Sequence, residues 1–320
     1  MNPTSLIDSS FGLLAATNVT NDPEYAKIVS VIDRVRQALC NESAFRKPFH
    51  EVLLNLYTSP SMSAKIPKIH PVPPTPQDVL DFFTSSWPEV RLMPYIKTET
   101  EYVWGYTHVG PQASNDSGIH ISFPLVQFWS NMATSQNPTK FTVNIAASIF
   151  VTVLLYELSH CLIVWWSEGT CCTPKDLPIL GESGEFIERE LLGGVLEGWW
   201  QKDHVGTFSH LEQVAFEAAP GKLYVLDNAC ALHILQCFAS ASSASPSSMP
   251  PVLPLLQVQS MASTPPPNPL NVSRAKFATL RRGAKEEPAA AQPTTPAFVK
   301  GLGLVRRSAM AGDKFFLGPK

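Results

Sequence analysis

The chain has 320 residues, of which 44% are hydrophobic and 16% charged. That is apolar enough to build a core, and it excludes a chain disordered throughout. The net charge of -3 hides an asymmetry: residues 240–320 hold ten Lys and Arg against three Asp and Glu, leaving 14 against 24 in residues 1–239.

The first twenty residues, MNPTSLIDSSFGLLAATNVT, carry no basic stretch before their apolar patch, so they make a poor signal peptide. Six cysteines are too few and too scattered for a disulfide framework, and no CxxC spacing marks a zinc finger. An intracellular, reduced protein is expected, and the sequons at Asn18, Asn41, Asn115 and Asn271 then carry no weight.

Asn21-Asp22-Pro23-Glu24 reads as a helix start, with a capping side chain, Pro in the first turn and an acid at the positive dipole end. Ile28, Ile32, Val35 and Leu39 follow at helical spacing. A second helix is expected over 45–57, started or bent by Pro48, then a Pro-rich loop over 66–76. Thr75-Pro76-Gln77-Asp78 opens a short helix. Residues 101–107 and 118–123 alternate as half-buried strands do, with turn chemistry over 110–118 between them, which predicts a small antiparallel sheet. Helix returns over 124–133 and again over 141–166. A loop over 167–180 contains the adjacent Cys171 and Cys172. A further helix begins near Glu182. A strand over 222–226 and an apolar helix over 229–238 close the domain. The pairs Trp165-Trp166 and Trp199-Trp200 read as packing aromatics, and His120 as an ordinary strand histidine.

Beyond residue 239, Ser, Pro and Ala dominate, and twelve of the 29 prolines lie there. Neither helix nor strand periodicity survives at that density, so 240–320 reads as a disordered basic tail. Arg281, Arg282, Arg306 and Arg307 offer weak contact with an anionic partner such as nucleic acid; a solvated tail is the simpler reading.

Residues 145–166, IAASIFVTVLLYELSHCLIVWW, are long enough to cross a bilayer. Glu157 and His160 stand near the middle, and an ionised carboxylate there costs about 2.5–3.5 kcal/mol. No basic cluster flanks the run to orient it. A buried core helix is therefore expected, with a single-pass membrane protein as the alternative. In either case the two polar residues need a reason to be there.

That reason is the functional signal of the chain. Tyr156 and His160 are one turn apart on a common face, and Glu157 and His160, three apart, are also neighbours. With a His at 156 this would be HExxH, in which two imidazoles hold zinc and the Glu serves as general base toward metal-bound water. The second piece is Gly181-Glu182-Ser183-Gly184-Glu185-Phe186-Ile187-Glu188, followed by Leu191 to Leu196 with Gly193 and Gly194.

Together these segments, roughly 151–196, resemble the third-ligand helix arrangement of the thermolysin-like zinc peptidases, the gluzincins. The resemblance implies an α+β, mostly helical, zincin-like domain over 1–239 followed by the tail. It implies His160 as a zinc ligand and Glu188 as the third ligand, with Glu182 as the fallback. Glu157 would be the general base, and Tyr156 a weak ligand or oxyanion donor. It also implies that an edge strand before the helix, assigned to 119–123, holds a peptide in extended form. The chain departs from the family at Tyr156, in a longer loop from His160 to Glu188, and at Leu192, where the family has an Asp that orients a ligand. His204, His210 and His233 lie downstream, with none marked as a transition-state donor. The expected product is a degenerate metallopeptidase-like protein, with zinc weakly held or lost. The rival is a helical interaction protein whose Glu157 and His160 satisfy each other or the backbone.

Overall fold

Several helix starts in this chain follow capping side chains. Asp22 accepts the N–H of Glu24 and opens a single 3-10 turn, Pro23–Tyr25, which runs on into α1, Ala26–Asn41. After α2, Ser43–Thr58, the Thr75 and Asp78 side chains form a reciprocal capping box on α3, Pro76–Ser85. Thr142 accepts the N–H of Ile145 and starts α5, Val143–Trp166, which follows α4, Phe123–Thr134. Further along the chain, α6 spans Ser183–Leu192 and α7 Asn228–Ser242. The computed structural model describes residues 4–10, 16–62, 69–94, 96–97, 102–107, 118–134, 141–169, 182–201, 204, 207–220, 222–242, 254–256 and 272–276.

The strands are β1 Leu6–Asp8, β2 Thr17–Asn18, β3 Val90–Met93, β4 Ile96–Lys97, β5 Tyr102–Val103, β6 Gly105–Thr107, β7 Ile119–Ser122, β8 Val195–Gln201, β9 Leu211–Ala219, β10 Lys222–Val225 and β11 Val272–Lys276. They form a five-stranded sheet in the order β2-β1-β3-β7-β6, a four-stranded sheet in the order β10-β9-β8-β11, and the pair β4-β5. The class is α+β.

The expected antiparallel pairing exists between β6 and β7, with Tyr106 opposite His120. The sheet around it is mixed rather than antiparallel. β1, β3 and β7 run parallel, because α1 to α3 carry the chain across between β1 and β3. This corrects the assignment of the edge: residues 119–122 lie inside the sheet, and β6 is its outer strand.

α5 is the axis of the molecule. Each of α1 to α4, α6 and α7 packs on it, as do β6 and β7. It is apolar all round, as a helix enclosed on every side must be. It is the one helix among the described residues long and apolar enough to cross a bilayer, and 94% of that apolar window is buried inside the protein. Its internal hydroxyls find carbonyls: Ser148 donates to Ala231 O at 3.0 Å, and Thr152 donates to Ser148 O at 2.9 Å.

The fold continues past the expected boundary at 239. α7 runs to Ser242. Leu255 and Leu256 are each 3% exposed, and the Leu255 N–H donates to Leu191 O at 2.7 Å. β11 then pairs antiparallel with β8, from Val272 opposite Gln201 to Lys276 opposite Glu197. Composition concealed these pieces because each is shorter than a periodicity window. The four tail arginines, residues 110–117 of the expected turn and most of the 167–180 loop lie outside the described residues. If 254–256 belong to the core, Leu255→Ala lowers stability in urea unfolding by about 2–5 kcal/mol; in a solvated tail the change is negligible.

Candidate functional site

α5 and α6 meet at a glycine. A Cβ placed on Gly184 would lie 2.3 Å from Tyr156 Cγ, so only Gly lets the ring lie flat beneath the start of α6. The Tyr156 hydroxyl then reaches past the helix and donates to Glu182 Oε2 at 2.9 Å. His160, one turn on, puts Nε2 at 4.0 Å from the same oxygen. Its Nδ1 lies 3.2 Å from Ser183 Oγ, which in turn is 3.1 Å from Ser159 Oγ. Tyr156 is 1% and His160 7% exposed, while the Glu182 side chain is 38% exposed. Phenol, imidazole and carboxylate therefore converge with only the carboxylate open to water.

Glu157 belongs to a different environment. It is fully buried beneath β6, where the Thr107 hydroxyl donates to its Oε2 at 2.8 Å. β6 approaches so closely that a Cβ on Gly105 would lie 2.7 Å from Val153 Cγ1 and 3.2 Å from Glu157 Oε1. A general base must reach the water that it deprotonates. Here the carboxylate is roofed by strand backbone.

Glu188, the first choice for third ligand, accepts the backbone N–H of Leu196 through Oε2 at 2.6 Å and is 2% exposed. It ties the end of α6 to the start of β8. The reversal between them is made by Gly193 at φ 97, whose N–H donates to the carbonyls of Glu188 and Arg189. The left-handed glycine ends α6, and β8 begins at Val195. Glu182, the fallback, is the acid that the structure brings to Tyr156 and His160.

This donor set does not fit a resident zinc. Among the described residues no three His, Cys, Asp or Glu side chains form a group able to hold a metal. The Tyr156 phenol spends its proton on Glu182, and with a reference pKa of about 10 it would have to lose that proton to coordinate. One imidazole and one carboxylate remain, short of the three protein ligands of a catalytic site.

The sequence reading missed two contributors. Thr107 sits on a strand expected from alternation, but nothing local marks it as the partner of Glu157. Ser183 is visible only as part of the GESG run, and helix packing alone puts it on His160. The downstream histidines lie elsewhere: the His204 and His210 rings stack at 4.0 Å, and His233 Nε2 is 3.7 Å from Cys237 Sγ. The tryptophans pack as expected, with Trp200 stacked on Trp104 at 6.2 Å. His120 is buried against the Tyr106 ring. No protein-family model, curated protein or solved structure matches the chain.

Two outcomes follow from this packing. Alanine is a better helix former than glycine by about 1 kcal/mol, yet Gly184→Ala should lose about 1–3 kcal/mol in urea unfolding through overpacking. The loss should vanish in a Tyr156→Ala background. Cys161, 3.5 Å from Thr107 Oγ1, has its thiol pushed up to about 12, chiefly by burial. Only the thiolate is nucleophilic. Iodoacetamide at pH 9 should therefore leave Cys161 unmodified in the native protein and alkylate it in urea, as read by peptide mass. The folded state keeps this proton where the unfolded chain releases it. The contribution to stability is thus constant well below the ordinary 9.0 and falls as pH rises toward 12.

Proposed function

We propose that this chain is a degenerate zincin-like protein that holds a peptide or protein segment rather than cleaving it. The observation that carries the reading is the Tyr156 hydroxyl on Glu182 at 2.9 Å, with His160 at 4.0 Å from the same carboxylate oxygen. Two of the three groups are conventional zinc ligands. The third occupies the place of the first histidine of HExxH, and it closes the site with a hydrogen bond. The helix bearing ExxH and the helix following GES pack against each other, as the gluzincin resemblance requires. Among the described residues no strand pairs on the outer side of β6, which leaves its edge to accept an extended segment by backbone hydrogen bonds. Cys40, Cys161, Cys230 and Cys237 are all free thiols, in keeping with a reducing, intracellular setting.

A second reading has an observation of its own. The bonds from Thr107 to Glu157 and between Ser183 and His160 are what an interaction protein of unrelated descent would use to satisfy buried polar groups.

Metal content separates the two. The purified full chain should carry little zinc. Tyr156→His should bind close to one equivalent, and adding Glu182→Gln should abolish the gain. A Tyr156→His protein that folds but takes up no zinc favours the unrelated interaction protein. Peptide holding is read by hydrogen exchange: an extended peptide that binds should slow exchange of the amides of 105–107.

A further inference from the structure

The opposite half of α5 borders a cavity that the Tyr156 site does not use. It has a volume of about 430 Å³ and opens to solvent between α1, α4, α5 and α7. That volume lies within the roughly 300–1,000 Å³ range of small-molecule sites. The deep wall is apolar and buried: Val35 from α1, Trp129 from α4, Val151 from α5 and Phe238 from α7. The mouth is different. Lys27 and Arg34, two turns apart on α1, both line it and are both exposed. Ser30 lies between them on the same helix, and Asn144, in the first turn of α5, lines the cavity as well. No acidic side chain is among the described lining residues, and neither cation takes part in an ion pair among the described residues.

We infer that this cavity binds a monomeric long-chain carboxylate, its hydrocarbon chain against Val35, Trp129, Val151 and Phe238 and its headgroup between Lys27 and Arg34. The separation of the two chemistries carries the inference. An apolar solute without charge leaves both cations unused, and an inorganic anion leaves the wall wet. A single molecule with an acidic head and an apolar chain satisfies both. The first turn of α5 adds to the preference for negative charge at the mouth, since the positive end of the helix dipole favours an anion. Recognition is by point charge and shape, with no covalent step. The inference stands apart from the peptide-holding reading, because it uses residues 143–151 of α5 and none of 156–160.

The test uses the full chain and dansyl-labelled undecanoic acid below its micellar concentration. We expect saturable binding of one equivalent, read by dansyl emission on excitation of tryptophan, with the transfer reduced in Trp129→Phe. Dodecanoate should displace the probe, and dodecanol should do so about tenfold less well, since it lacks the charge-assisted contact. Lys27→Glu with Arg34→Glu should weaken binding by at least about tenfold by reversing the charge at the mouth. Leu235→Trp, at the half-buried rim, should block the cavity; its circular dichroism and that of the charge variant serve as folding controls. Equal affinity for acid and alcohol overturns the inference, as does binding unchanged in the charge variant or in Leu235→Trp. Uptake only above the micellar concentration, or of anionic vesicles but not the monomer, overturns it too.

Discussion

The enclosure of α5 is the constraint on which the rest of the structure depends. A 24-residue helix with apolar side chains on every face is stable in water only if other elements cover every face. Burying each large aliphatic or aromatic side chain is worth about 1.5–3 kcal/mol, so covering this one helix organises six others and two strands among the described residues around it. Any polar atom on its surface is then buried by default. Ser148, Thr152, Glu157, Ser159 and His160 are all inside, and each has to be answered by a neighbour. The chemistry of the helix is thus set by which element arrives at which turn.

Two glycines decide how close those elements come. Gly184 admits the Tyr156 ring, and Gly105 admits β6 over Glu157. The first brings a carboxylate, Glu182, within reach of a phenol and an imidazole. The second seals the other carboxylate away from water. The Tyr156 hydroxyl donates to Glu182 and so clasps the two helices together.

The two ends of α5 serve different surfaces. Around Tyr156 to His160 the helix is pinned by hydrogen bonds to α6 and β6. Around Val143 to Val151 it forms one wall of a cavity whose other walls are α1, α4 and α7. Glu188 and Gly193 add a further constraint: the carboxylate holds the start of β8, and the left-handed glycine turns the chain, which sets the position of the second sheet.

Several features were legible in the sequence because they are local. The caps at Asp22 and Thr75, the alternation in 105–107 and 119–122, and the uniform apolarity of 143–166 act over one or two turns or pleats. The same locality explains why Tyr156 and His160 read as sharing a face. What escaped were pairings between distant residues. β1 and β3 are short, and their parallel register depends on three intervening helices. β8, VLEGWWQ, is buried on both faces from Val195 to Trp200 and so lacks the alternation that identifies a strand. The sequence alone determined that a buried helix would carry a phenol, a carboxylate and an imidazole within two turns, since helical geometry is fixed by backbone sterics. Only tertiary packing decided that Glu182 rather than Glu188 would meet them and that Glu157 would be roofed by Gly105 and Thr107. Those outcomes depend on the approach of one backbone to another, which no spacing along the chain encodes.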